Sequence, residues 1–186
     1  MRQLSIGFYI SLVVVAVVGF FYSVPQANAK SAVEIDAGAN AALETFFDQA
    51  PAGKELAEKA KGILIFPSII KAGLIVGGDY GEGSLRINGQ TVAYYSTASG
   101  SIGLQVGLQE RSVIIMFMDD AILDKFRASD GWNVGVDGSI AVVRVGAGGA
   151  INTGTAKQTI IGFIFNQKGF MGNLTLEGTK LSKIVR

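Results

Sequence analysis

The sequence predicts an α+β domain in which N-terminal helices pack on a strongly curved, mainly antiparallel β-sheet, barrel- or sandwich-like, with one short helix inserted. Apolar residues recur at three- and four-residue spacing over Ser31 to Ala50, as in an amphipathic helix. From Gly62 onward, short apolar or alternating runs bounded by glycine and proline replace that pattern, which is typical of strands. Glycine supplies 25 of the 186 residues, nearly twice its usual share. In strands, glycine marks bends and close approach of backbones.

Two helices are predicted ahead of the first strand. Ser31 is placed to cap the first helix, with Glu34 three residues later as in a capping box. Pro51 is predicted to end this helix. Lys54 to Lys61 is predicted to form a second, short helix that Gly62 closes.

The first strands follow directly. Gly62 to Phe66 and Gly73 to Tyr80 are apolar runs, and Pro67 is predicted to break the chain between them. Asn88-Gly89, between "SLRI" and "TVAYY", predicts a two-residue hairpin turn. Ser101 to Gln109 alternates between apolar side chains and Gly or Gln, as a half-buried strand does.

The remaining pattern is again mostly that of strands. Val113 to Met118 is apolar on both faces, which indicates a central strand. Asp119 to Ala128 changes to a helical period, with Asp119 or Asp120 as its cap. Three further strands are predicted over Ser139 to Val145, Thr159 to Phe165 and Phe170 to Leu176.

The first 29 residues have the layout of a secretory signal peptide. Arg2 is followed by an apolar stretch, Leu4 to Val24, and by an A-x-A cleavage site at Ala27-Asn28-Ala29. We therefore expect residues 1–29 to be removed and residues 30–186 to form a single exported domain, periplasmic or secreted. A retained membrane anchor is the alternative, since Leu4 to Val24 is long enough to span a bilayer.

Charge is unevenly distributed along the predicted mature chain. Lys30 to Ala60 has a net charge of −3, whereas Gly138 to Arg186 has a net charge of +5. A basic segment can favour anionic partners, but from charge alone a solvated surface is the better explanation. The basic residues are scattered among apolar strands instead of clustering with aromatic residues, which argues against nucleic acid as a partner.

Catalytic chemistry has few candidates in this chain. Cysteine and histidine are both absent, which removes thiolate chemistry, the usual general base and the commonest metal ligand. Asp119-Asp120 suits helix capping better than acid–base work. Asp79 and Glu82 alone make a weak cation site, and "VGAGGAINTG" lacks the spacing of a phosphate-binding loop. The sequence predicts a protein that is not an enzyme and uses no cofactor or metal.

Lipid contact is the function that the residues favour most. Five lysines lie in or beside apolar segments, where their stems can cover apolar surface while the ammonium groups meet acidic head groups. The predicted lipid-binding residues are Lys61, Lys71, Lys168, Lys180 and Lys183. The predicted partner is an anionic phospholipid or a membrane surface, and whether a protein partner exists is left open by the sequence.

Four blocks of the chain resemble the SYLF domain family. They are "AKGILIFPSIIKAGLIVGGDYGEG", "YYSTASGSIGLQVGLQ", "ILDKFRASDGWNVGVDGSIAVV" and "NQKGFMGNLTLEGTKLSKI". The resemblance runs from about Ala32 to the C-terminus and is nearest to the bacterial, exported, single-domain branch. It implies binding of acidic lipids, as known for eukaryotic members, some of which also bind actin. A structural or protein-interaction module of the cell envelope is the alternative function.

Overall fold

The computed structural model describes residues 29–73, 76–102, 107–146, 154–169 and 175–186. These residues form helices followed by a strongly curled, eight-stranded sheet, which confirms the predicted α+β class. The predicted signal peptide falls almost wholly on residues 1–28, outside the described residues. No described helix is both long and apolar enough to cross a bilayer.

The helices are α1 (Ala32–Gln49), α2 (Pro51–Lys59) and α3 (Asp120–Ala128). The strands are β1 (Gly62–Gly73), β2 (Val76–Ile87), β3 (Gln90–Ile102), β4 (Gly107–Phe117), β5 (Trp132–Asn133), β6 (Ala141–Arg144), β7 (Ile160–Lys168) and β8 (Lys180–Ile184). They are ordered β5-β8-β3-β2-β1-β4-β7-β6. Among the described strand pairs only β6 and β7 are parallel, so the sheet is mainly antiparallel as predicted.

The N-terminus of α1 forms the predicted capping box. The backbone N–H of Glu34 donates to Ser31 Oγ at 3.3 Å, and the backbone N–H of Ser31 donates to Glu34 Oε2 at 2.7 Å. The second helix begins at Pro51 and not at Lys54 as predicted. Proline fits the first helical position because the N–H that it lacks has no partner there.

Pro67 does not break the chain as predicted. Strand β1 continues through it, and its register shifts between Ile65 and Ser68 against β2 and between Phe66 and Ile69 against β4. This bulge lets a residue without an N–H remain inside a central strand. The Pro67 carbonyl accepts a 2.7 Å hydrogen bond from Ser112 Oγ.

Two segments that were each predicted as one strand are divided between two consecutive strands in the structure. Gly73 to Tyr80 divides between β1 and β2, and Ser101 to Gln109 divides between β3 and β4. Residues 74–75 and 103–106, where these divisions fall, lie outside the described part of the chain. The apolar and glycine-rich pattern continues across both divisions, so it gave no sign of them.

Other turns and strands agree with the sequence more closely. Asn88 (φ 52°) and Gly89 (φ 78°) form the predicted hairpin turn. Asp119 caps α3 by accepting a 3.1 Å hydrogen bond from the Ile122 N–H. The strands predicted over Ser139 to Val145 and Thr159 to Phe165 correspond to β6 and β7.

The C-terminal part differs from the prediction. Of the strand predicted over Phe170 to Leu176, residues 170–174 are outside the described residues, and Thr175 and Leu176 are not in a strand. Strands β8 and β5, which extend the sheet beyond β3, were not predicted.

The sheet carries an apolar core on each of its two faces. On one, which we call the α1 face, Ile65, Ile114 and Phe163 pack with Ala39 and Phe46 of α1. The opposite, α3 face holds a second core. There Leu64 and Phe117 of the sheet pack with Phe126 of α3 and with Trp132.

Candidate functional site

An exposed strip crosses the α1 face beyond the N-terminus of α1. Six residues lie opposite one another in consecutive strands, and directly opposed residues share a face. This cross-strand row runs Lys168, Glu110, Ile70, Tyr80, Ala98 and Lys180. With neighbouring strands about 4.8 Å apart, its two lysines are separated by about 24 Å along the sheet.

The middle of the cross-strand row is apolar and open to solvent. The exposed fraction is 47% for Ile70 and 52% for Tyr80. Leu108, opposite Ala72 in the neighbouring row, is 69% exposed. Exposed large apolar groups that adjoin one another indicate a contact surface more strongly than isolated ones do.

Lys168 and Lys180, two of the five predicted lipid-binding residues, stand at the ends of this row. The Lys168 ammonium is 3.1 Å from Glu110 Oε2, so its charge is partly neutralised. Glu110 also accepts a 2.8 Å hydrogen bond from Ser68 Oγ. The bonds from Ser68 and Lys168 lower the pKa of Glu110, which keeps this carboxylate ionised at neutral pH.

The other three predicted lysines lie apart from the row. Lys71 in β1 is half-buried and is opposite Asp79, which places it on the α3 face. Lys183 in β8 is exposed on that same face. Lys61 precedes β1, at the far end of the strand from Ile70, and its Nζ is 3.3 Å from Asp120 Oδ2.

A buried carboxylate, Glu82, supports the row from beside it. Its Oε1 accepts a 2.8 Å hydrogen bond from the Tyr80 hydroxyl and a 2.5 Å bond from Arg186 Nη2. Its Oε2 accepts a 3.2 Å hydrogen bond from the backbone nitrogen of Lys30. Burial acts to raise the pKa of Glu82, but the bonds from Arg186 and Tyr80 outweigh it and the pKa is lowered. The ionised Glu82 therefore fixes the Tyr80 ring in the row.

Asp79 and Glu82, weighed from the sequence as a weak cation site, do not converge. Asp79 lies on the α3 face, where its Oδ2 is 2.6 Å from Arg111 Nη2 and its Oδ1 accepts a 2.8 Å bond from Ser99 Oγ. Glu82 lies on the α1 face beside Lys30. No group of three or more potential metal ligands occurs among the described residues.

A shallow depression of about 450 Å³ adjoins the Lys168 end of the row. Its described lining is mostly polar, and the Gln49 side-chain amide donates to Asn166 Oδ1 at 3.1 Å within it. The lining comprises Gln49, Val145, Gly146, Asn166, Gln167 and Lys168.

Sequence reasoning found the lysines but missed the apolar centre of the row. Ile70 and Tyr80 become neighbours only through the register of β1 with β2, and Leu108 joins them through β4. One signal was available: Tyr80 is a large aromatic residue inside the glycine-rich "GGDYGEG". Gly78, the preceding residue on the same face of the strand, has no side chain that could cover the ring.

Fold and surface together define a two-core α+β domain that displays an apolar strip between lysines. A protein-family model described as "Ysc84: Las17-binding protein actin regulator" matches residues 98–184, from the end of β3 through β8. The match confirms the resemblance of this part of the chain to the SYLF domain family. No curated protein matches the chain.

Proposed function

We propose that this protein is a non-enzymatic lipid-binding protein that engages anionic phospholipid head groups through the cross-strand row. The observation that carries the proposal is the pair of exposed apolar side chains, Ile70 and Tyr80, with Lys168 and Lys180 at the two ends of their row. The family resemblance supports it, because SYLF domains are known for binding acidic lipids.

Each part of the row has a physical role at a membrane surface. Tyrosine favours the interface between water and hydrocarbon, since its ring is apolar and its hydroxyl is polar. Ile70 and Leu108 add apolar area, worth about 25 cal/mol for each Å² removed from water. Each lysine near an anionic membrane contributes about 1 kcal/mol. Because Glu110 partly neutralises Lys168, Lys168 contributes less than Lys180 to the attraction to an anionic membrane.

Export and the absence of catalysis belong to the same proposal. Residues 1–29 act as a signal peptide, and the domain works in the periplasm or outside the cell at a membrane surface. The complete sequence has neither cysteine nor histidine, and the protein uses no cofactor.

Liposome co-sedimentation tests the proposal. The chain from Lys30 is mixed with vesicles of phosphatidylcholine alone or with phosphatidylglycerol, at low and high salt. We expect binding to the anionic vesicles that weakens with salt, because salt screens exposed charges. Equal binding to both vesicles, or none to either, would contradict the proposal.

A charge-matched pair of double variants locates the surface. Lys168→Gln/Lys180→Gln removes both lysines of the row, and about 2 kcal/mol of attraction corresponds to about a 30-fold loss of anionic-vesicle affinity. Lys54→Gln/Lys59→Gln removes the same charge from the exposed side of α2 and serves as the control. Equal losses in the two variants would indicate that only net charge matters.

The three lysines outside the row remain predicted contacts. Lys71→Gln is expected to weaken binding and leave folding intact, because it removes a positive charge from β1, although Lys71 lies on the α3 face and not on the face of the row. Lys61→Gln is expected to have the smallest effect, because Asp120 already pairs with that ammonium. Lys183→Gln tests the exposed lysine of β8 in the same assay.

A protein-interaction module of the cell envelope is the second candidate. It is favoured by the description of the matching family, which names a Las17-binding protein. Pull-down from envelope extracts separates the two functions. A stoichiometric protein partner with no retained lipid favours this candidate, and retained anionic lipid favours the first.

A further inference from the structure

We propose that Glu82 is a receptor for the α-ammonium group of Lys30, which removal of residues 1–29 creates. This inference rests on the export and processing included in the proposed function. It adds a binding site whose ligand is the chain's own new N-terminus.

The geometry of the contact points to this ligand. The Lys30 backbone nitrogen lies 3.2 Å from Glu82 Oε2, and Glu82 is only 5% exposed. Oε1 is already occupied by the Tyr80 hydroxyl and by Arg186. Within the described part of the chain, the Lys30 nitrogen is the one hydrogen-bond donor to Oε2. The free side of the carboxylate therefore faces the atom that processing changes.

Processing changes the chemistry of that atom and leaves its identity intact. Hydrolysis of the Ala29–Lys30 amide consumes one water, leaves a carboxylate on Ala29 and releases the Lys30 nitrogen as an amine, which is protonated at neutral pH. A neutral N–H donor thus becomes an ammonium, and a charge-assisted hydrogen bond is roughly twice as strong as a neutral one. Cleavage one residue away would displace the charge by about 3.5 Å and lose the contact.

The Glu82 carboxylate favours a cation at the Lys30 backbone nitrogen, because its Oε2 already accepts a hydrogen bond from that atom. The side-chain ammonium of Lys30 is a separate group, and it interacts electrostatically with Glu34 and Glu110. Arg186 is the cation that shares Glu82, and it binds the other carboxylate oxygen. Glu82 would thus hold two cationic groups, the α-ammonium of Lys30 on Oε2 and the Arg186 guanidinium on Oε1.

The contact also connects processing to the proposed membrane surface. Glu82 holds the Tyr80 hydroxyl at 2.8 Å, and Tyr80 is the central aromatic of the cross-strand row. An ammonium on Oε2 strengthens the support of this ring. Removal of residues 1–29 therefore both releases the domain and strengthens the support of Tyr80 in the cross-strand row.

The first measurement establishes the processed terminus. The full chain is expressed in an exporting host, and the exported form is purified and its N-terminal residue sequenced. We expect Lys30. Any other N-terminal residue overturns the inference, whatever the result with liposomes.

The second measurement is a thermodynamic cycle of four protein forms. It combines acetylation of the α-amine with the substitution Glu82→Gln. Unfolding in urea is compared for the free-amine and N-acetylated forms, each with and without the substitution. Selective acetylation near neutral pH uses the lower basicity of the α-amine relative to lysine side chains. We expect Glu82→Gln to reduce the folded-to-unfolded ratio at least tenfold more in the free-amine form.

Glu110→Gln is the matched control, since Glu110 loses the same charge but its bonds go to Ser68 and Lys168. Its cost should be nearly the same in both amine states. Equal costs of Glu82→Gln in both states overturn the inference. If Glu82→Gln does not fold, acetylation of the unsubstituted protein alone must lower the ratio about tenfold, and no change overturns the inference. A chain that passes these tests but does not bind anionic vesicles contradicts the lipid proposal alone.

Discussion

Arg111 forms a buried ion pair with Asp79 on the α3 face. Its guanidinium pairs with Asp79 at 2.6 Å, and both side chains are about 4% exposed. The Nε of Arg111 is buried and has no hydrogen-bond partner among the described residues. Such a pair gives little net stability by itself, yet loss of one partner leaves an uncompensated buried charge.

We therefore predict that Arg111→Met destabilises the protein by about 3–5 kcal/mol, as judged from urea unfolding. The double variant Asp79→Leu/Arg111→Met should be more stable than Arg111→Met, because it removes the orphaned charge as well. Arg127→Met is the control: the exposed pair of Arg127 with Asp124 spans 3.8 Å and should be worth at most about 1 kcal/mol. Equal costs at Arg111 and Arg127 would show that burial of the pair is unimportant.

At this scale the sequence predicts contacts between near neighbours and misses distant ones. The Ser31–Glu34 box and the Asp119 cap use partners three residues apart, so residue type and spacing were sufficient. The Arg111–Asp79 pair spans 32 residues and the Arg186–Glu82 pair spans 104. Such pairs depend on strand register, which a single sequence does not specify.

Among the elements, β2 shows why glycine is abundant. A Cβ built on Gly83 would lie 2.2 Å from the Ile65 carbonyl oxygen, beside the Pro67 bulge of β1. Gly81 is similarly crowded by Ser68 O and Ile69. The glycines of β2 thus allow its backbone to approach the bulge closely. This agrees with the close approach of strands expected from the composition.

We predict that Gly83→Ala destabilises the protein by about 1–3 kcal/mol, because the neighbouring backbone has to move. Gly100→Ala is a matched control in β3, since a Cβ at Gly100 would meet nothing within 4 Å. Chemical unfolding of both variants gives the comparison. An indistinguishable midpoint for the two would mean that the strands separate at Gly83 without cost.

Element boundaries were predictable where local chemistry sets them. The Asn88-Gly89 turn requires positive φ at both residues and was found in the sequence. Pro67 misled because proline usually ends a strand, whereas here a register shift on both sides retains it. Strand β8 is short and has only Leu181 fully buried, so its sequence carries no strong alternation.

At the scale of the whole molecule, one sheet serves as the common wall of two cores. Phe46 of α1 packs with tilted rings against Phe163 and Phe165, at centroid distances of 4.8 and 5.5 Å, on the α1 face. Trp132 meets Phe126 edge-on at 5.7 Å on the α3 face. Side chains of alternating residues in β1 and β4 enter the two cores, so we expect the two cores to unfold together.

We predict that Phe46→Ala costs about 3–5 kcal/mol and that Trp132, on the opposite face, reports the loss in full. Trp132 is the only tryptophan in the sequence, so its fluorescence follows the α3 core while circular dichroism follows the whole chain. The two unfolding transitions should coincide and shift together. Phe47→Ala, at a half-buried position on the same helix, should shift both by less. A Trp132 transition unmoved by Phe46→Ala would show that the two cores unfold independently.

The shared carboxylate of Glu82 has a consequence for chain connectivity. Lys30 and Arg186 bind its two oxygens, so the two ends of the segment from Lys30 to Arg186 meet at one side chain and this segment is nearly a closed loop. A short glycine linker could join these ends, and the chain could be reopened at the exposed Asn88-Gly89 turn as a circular permutant. Chains whose ends lie close together tolerate this rearrangement. The permutant would keep both cores and the sheet order but place an amide at the Lys30 nitrogen, where the proposed processing would leave an amine.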